Sequence, residues 1–83
     1  MRDDELMRRI LSGRSDANVR FDDLRRLLSR LGFIERIRGS HHIFTKSGVS
    51  EMINLQRDSS QAKPYQVRQV RRTILRHKLE EGD

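Results

Sequence analysis

The chain has 83 residues, enough for one small domain that buries only about 60% of its unfolded surface. Hydrophobic residues make up 34% and charged ones 36%, yet the apolar residues recur in periodic blocks, as a folded chain requires. There is no cysteine, which excludes disulfides, thiolate metal sites and cysteine nucleophiles. No apolar run exceeds two residues, which speaks against a transmembrane helix and a signal peptide and makes the cytoplasm the expected location.

The charge balance is informative. Eighteen Lys+Arg stand against twelve Asp+Glu, a formal net charge of +6, and 15 of the 18 cations are arginine. Arginine's planar fork donates two hydrogen bonds to a phosphate at once, where lysine acts as a point charge. Residues 59–79 hold six cations (Lys63, Arg68, Arg71, Arg72, Arg76 and Lys78) and no acid. Such a segment fits a nucleic acid partner, and equally a solvated basic face.

In chain order, Asp3, Asp4 and Glu5 predict the acidic N-terminus of a helix, with Leu6, Met7, Ile10 and Leu11 on one stripe. Ser12-Gly13 ends it. Residues 16–20 read as a connector with a brief extended piece at 18–20. A second helix is predicted over 21–31, where Phe21, Leu24, Leu27, Leu28 and Leu31 form an apolar face and Gly32 follows as the stop.

A hairpin comes next. Residues 33–38 read as a strand with Phe33 and Ile37 on one face and Ile34 and Arg36 on the other. Arg38-Gly39 or Gly39-Ser40 makes the turn, and 41–46 returns. Ser47-Gly48 turns again into a shorter strand at 51–56. Pro64 opens a last helix reaching about residue 79, with Val67, Val70, Ile74 and Leu75 as its buried stripe and Arg68, Arg71, Arg72 and Arg76 on the remaining arc. The expected fold is α+β: a three-stranded antiparallel sheet packed on one face by two helices, with an extra N-terminal helix. The other face of the sheet is then open to a nucleic acid strand.

The most concentrated signal is Arg38-Gly39-Ser40-His41-His42-Ile43-Phe44. Adjacent residues on a strand point to opposite faces, so His41 and His42 cannot act on one substrate or share one metal ion. No acidic or histidine cluster elsewhere supplies partners, and no metal site is expected. A lone histidine on an open face suits proton transfer, because free imidazole titrates near pH 6.5. RNA carries its own nucleophile, the 2′-hydroxyl, so a base plus cations suffices to cut it. Spacing alone favours the plainer reading of one packed histidine and one surface histidine.

Residues 32–44, Gly-Phe-Ile-Glu-Arg-Ile-Arg-Gly-Ser-His-His-Ile-Phe, resemble the signature of the HicA family. These are small mRNA interferases of toxin–antitoxin pairs. The family pattern of leucine-rich helix, Gly-Phe, basic strand and Gly-Ser-His-x-x-Phe/Tyr stands in order as Leu24, Leu27, Leu28, Leu31, Gly32, Phe33, Arg36, Gly39, Ser40, His41 and Phe44. The resemblance extends over residues 21–79, leaving 1–20 as an N-terminal helical extension and 80–83 as a tail. It implies a fold like the double-stranded-RNA-binding domain and metal-independent cleavage of mRNA, without cofactor, with His41 as the catalytic base. It also implies a HicB-like antitoxin as partner.

Around that histidine, Gly39 would form the turn and admit the substrate backbone. Ser40 would donate to phosphate or shape the turn. Arg36, Arg38 and Lys46 are candidates for phosphate contacts, with Arg68 and Arg72 tracking the RNA backbone. His42 would be supporting, Phe44 core, and Tyr65 either packed or stacked on a base. The stretch 54–58 lacks the family's Val-Pro-x-His segment. The competing expectation is a winged-helix-like nucleic-acid-binding module, which the long connector at 13–20 and the two aspartates opening the second helix disfavour.

Overall fold

The computed structural model describes residues 3–81. Its elements are α1 (Asp3–Ser12), a short 3-10 turn (Asp16–Asn18), α2 (Phe21–Arg30), β1 (Ile34–Arg38), β2 (His41–Lys46), β3 (Val49–Gln56) and α3 (Pro64–His77). The strands form one antiparallel sheet in the order β1-β2-β3. Helices cover one of its faces, so the expected α+β architecture, like that of the double-stranded-RNA-binding domain, is the one observed.

The helix α2 forms because its apolar positions fall on one side: Phe21, Leu24, Leu27 and Leu28 are all fully buried. Burying each such side chain is worth about 1.5–3 kcal/mol. The helix stops in a Schellman arrangement. The Phe33 N–H donates to the Leu28 carbonyl and the Gly32 N–H to that of Ser29, each at 3.0 Å. Gly32 takes φ +96°, and a Cβ there would also strike the Lys46 ammonium at 2.5 Å. The backbone conformation therefore requires glycine, whereas the Lys46 ammonium, at the end of a flexible side chain, could swing aside.

The core joins all three layers of the chain. Leu6 and Ile10 of α1 and Val19 pack with the α2 residues, with Phe44, Ile53 and Leu55 of the sheet, and with Val67, Val70 and Ile74 of α3. Leu6 and Ile10 of the α1 stripe are thus core, Met7 is half-buried and Leu11 is exposed, so this segment takes part in the domain's packing. Arg71 of α3 fixes this region through paired hydrogen bonds to Asp16 (2.9 and 3.1 Å) and one to the Ile10 carbonyl (3.1 Å). The guanidinium holds the Asp16 carboxyl below its ordinary range.

Three expectations need correction. Leu75 is 60% exposed, and the buried side of α3 carries Gln66 and Thr73 instead. At 100° per residue, Leu75 lies about 140° around the helix from the centre of the face formed by Gln66, Val67, Val70, Thr73 and Ile74. Gln66 is satisfied in the interior: it accepts from the Lys63 N–H (3.0 Å) and donates to the Gln56 carbonyl (3.0 Å), capping α3 and tying it to the end of β3. The third strand begins at Val49, two residues earlier than its composition indicates. The connector coils at 16–18 before Arg20 bridges Gln61. Of the expected tail, residues 82–83 lie outside the described residues, as do residues 1–2 of the first helix.

Candidate active site

The register of the hairpin builds the site. Arg38 pairs with His41 across β1 and β2, leaving Gly39 and Ser40 as a two-residue turn. Gly39 takes φ +58° there and nothing lies within 4 Å of where its Cβ would be. Conformation alone makes glycine the residue of choice, and the tip stays open. Of the two turns considered from the sequence, Gly39-Ser40 is the one formed. Ser40 is woven into the fold at this tip: its carbonyl accepts from the Arg57 N–H (2.8 Å), and its Oγ lies 3.5 Å from Gln56 Nε2.

The alternation of β2 separates the two histidines. His42 points inward, 4% exposed, with its ring edge-on to Phe21 at 5.1 Å. Its Nδ1 lies 2.7 Å from Glu35 Oε2. The same carboxylate takes two hydrogen bonds from Arg25, at 2.7 and 3.1 Å, which with the imidazole hold it below its ordinary pKa. Arg25 and Arg57 both reach Asp22 and lower its carboxyl to about 2, with the Arg57 bond the larger cause. Arg57 also lies over the Phe21 ring at 4.5 Å. These contacts fasten β1 and the end of β3 to α2, and Glu35 is the inward-pointing charge of an edge strand.

His41 faces outward and is exposed. Cross-strand partners share a face, so Arg38, His41 and Gln56 form one row there, and Arg36, Ile43 and Asn54 the next. His41 Nδ1 lies 3.4 Å from Asn54 Oδ1. With that oxygen as acceptor, Nδ1 keeps the proton and Nε2 presents its lone pair to solvent. Arg36 and Arg38 are exposed and form no ion pair among the described residues.

The remaining candidates lie elsewhere. Lys46 is at the far end of β2, with its ammonium against Gly32. Arg68 and Arg72 are exposed on α3, in the helical layer, and Arg72 shares a shallow cleft with Glu51, Thr73 and Arg76. His77 is also in that layer, bound to Glu51 at 2.8 and 3.0 Å. The structure therefore brings together Arg36, Arg38, Gly39, Ser40 and His41, and leaves Lys46, Arg68 and Arg72 apart from them. It adds Asn54 and Gln56. Their spacing of two along a strand was visible in the sequence, but their register against His41 was not.

Among the described residues no three His, Cys, Asp or Glu side chains cluster as a metal ion would need. No helix among them is long and apolar enough to cross a membrane. Neither a curated protein nor a solved structure matches the chain. A family model does: that of the HicA toxin of bacterial toxin–antitoxin systems matches residues 21–77, from the first residue of α2 to the last of α3. The matched stretch holds the whole sheet, the Gly-Ser-His turn and both helices that back it, so the chain belongs to the HicA toxin family.

Proposed function

We propose that this toxin is an endoribonuclease that cuts mRNA without a metal ion, with His41 as general base. The observation that carries the reading is the placement of His41. It stands exposed on an open sheet face, beside two arginines that form no ion pair among the described residues, while its neighbour His42 is consumed by packing. A surface histidine with no task needs neither a hydrogen bond orienting its ring nor guanidinium groups arrayed around it.

The chemistry follows from these groups. Nε2 of His41 takes the proton of a ribose 2′-hydroxyl, and the 2′ oxygen forms a bond to the adjacent phosphorus as the bond to the 5′ oxygen breaks. A cyclic phosphate remains on one fragment. The departing 5′ oxygen takes its proton from the imidazolium so formed or from water. Arg36 and Arg38 face the charge that develops on the phosphoryl oxygens, where preorganised donors have most effect. Asn54 fixes the tautomer that leaves Nε2 basic. A HicB-like antitoxin would silence the toxin by covering this face.

The test is incubation of the purified protein and its His41→Ala variant with single-stranded mRNA in EDTA. Cleavage by the parent alone is expected. Equal cleavage by the variant, or intact RNA in both reactions, would overturn the reading.

A further inference from the structure

The outer face of the sheet changes character along its length. At the hairpin tip lies the polar row of Arg38, His41 and Gln56. About 7 Å along the strands lies the row of Arg36, Ile43 and Asn54, and beyond it Ile34, Thr45 and Met52. Arg36, Arg38, Ile43, Thr45 and Met52 line one shallow depression. Its apolar members are Met52, 57% exposed, and the half-buried Ile43, and Ile34, 68% exposed, adjoins them on the same face. The helices all lie on the opposite face, so no element among the described residues covers this strip.

Cleaving a phosphodiester needs a base and cations; it does not need bare methionine and isoleucine. Apolar side chains flanked by two guanidinium groups match a ligand that is flat and apolar on one part and anionic on another. A nucleotide is such a ligand, provided its base is unpaired. In a duplex the base faces are stacked inside the helix, and A-form RNA offers a protein chiefly phosphates and 2′-hydroxyls. A thioether against an aromatic ring is also a favourable contact, and Met adapts to rings of different shape.

We infer that this depression is a subsite for the unpaired base next to the scissile phosphate. Met52 and Ile43 lie under the ring, and Arg36 and Arg38, toward the hairpin tip, meet the adjoining scissile phosphate. The protein thereby selects single-stranded RNA. This rests on the proposed nuclease activity and adds to it the form of the substrate and the residues that recognise it.

The test separates binding from cleavage. Fluorescence anisotropy would follow the His41→Ala protein with a labelled RNA octamer, single-stranded and annealed to its complement, at one fixed salt concentration. The strand should bind at least about tenfold tighter than the duplex. Adding Met52→Ala should weaken strand binding about fivefold and leave duplex binding unchanged. Met52 is exposed, so this variant keeps the core, and circular dichroism would verify it. Equal affinity for strand and duplex, no binding of either, or a Met52→Ala protein that holds the strand at parental affinity would each overturn the subsite. If the strand binds as described but the parent protein leaves it uncut, the subsite stands and the nuclease reading falls. If the parent cuts while Met52→Ala is neutral in both binding and cleavage, the reverse holds.

Discussion

The two faces of the sheet use the same kinds of residue for opposite ends. On the inner face Glu35 is bound to both His42 and Arg25, and the network continues from Arg25 through Asp22 to Arg57 and its contact with Phe21. On the outer face Arg36, Arg38 and His41 stand in water with one long hydrogen bond among them, from the ring of His41 to Asn54. A polar group in the interior must find partners or the fold loses their desolvation energy. A group meant for a ligand must keep its valences open. The strand's period of two lets neighbouring residues follow the two rules, and His41 and His42 show it within a single peptide.

The sharpest way to break this comparison is to exchange the histidines' consequences. His41→Ala should lower RNA cleavage by about 10²–10⁴, the range of a lost general base. Its melting temperature should stay near the parent's, since exposed substitutions cost within about 0.5 kcal/mol. His42→Ala should do the opposite. It removes one partner of the Glu35 carboxylate and the ring against Phe21, costing about 1–3 kcal/mol. In a domain of this size each kcal/mol lowers the melting temperature by about 4–8 °C. Thermal denaturation beside an RNA cleavage assay would decide both. A His42→Ala protein that melts normally but is inactive would dissolve the division between the faces.

Smaller effects sharpen the same contrast. Arg71→Ala should cost about 1–2 kcal/mol, because Asp16 loses its charged partner and the Ile10 carbonyl loses a donor. Hydrogen exchange should show α1 opening first. Asn54→Asp places a carboxylate beside the His41 ring and favours its cation, so the rise of cleavage rate with pH should move to higher pH. Asn54→Ala should slow cleavage a few-fold with an unchanged melting point.

The smallest effect is in acid. Asp22 has its carboxyl lowered from 3.8 to about 2 in the folded chain. Its interactions therefore stabilise fully above about pH 4 and are lost as pH falls through about 2. Melting temperature plotted against pH should fall in that window, and Asp22→Asn should flatten the curve there. An unaltered slope would mean that the exposed carboxylate contributes nothing measurable.

Much of this arrangement was legible before any coordinates. Hydrophobic spacing located α2, and the Gly-Ser-His-His run located a hairpin with its histidines on opposite faces. What could not be read depends on chain segments meeting. Lys46 shares the strand of His41 but lies five residues away, at the other end of the sheet, where it covers Gly32. Arg71 sits in a run of helix arginines that look alike in sequence, yet it alone of them meets Asp16. Tyr65, for which packing was the bland expectation, is half exposed. Leu75 was misplaced for a local reason: hydrophobicity suggested a stripe of four, while the helical wheel admits three of them and fills the side with Gln66 and Thr73. Asn54 acquires meaning only through a cross-strand register that polar residues do not specify.

The clamp between Arg71 and the Ile10 and Asp16 region has a consequence in time. Its partners are 55 and 61 residues apart along the chain. The apolar residues Leu6 and Ile10 of α1 precede α3 in the chain, yet they share one core with Val67, Val70 and Ile74 of that helix. A growing chain therefore cannot close its core early, and the hairpin that carries His41 emerges before the helix that steadies it. A product ending before α3 would lack Val67, Val70 and Ile74 of the core and be an unfinished scaffold. Completion of the scaffold that holds His41 therefore waits for α3.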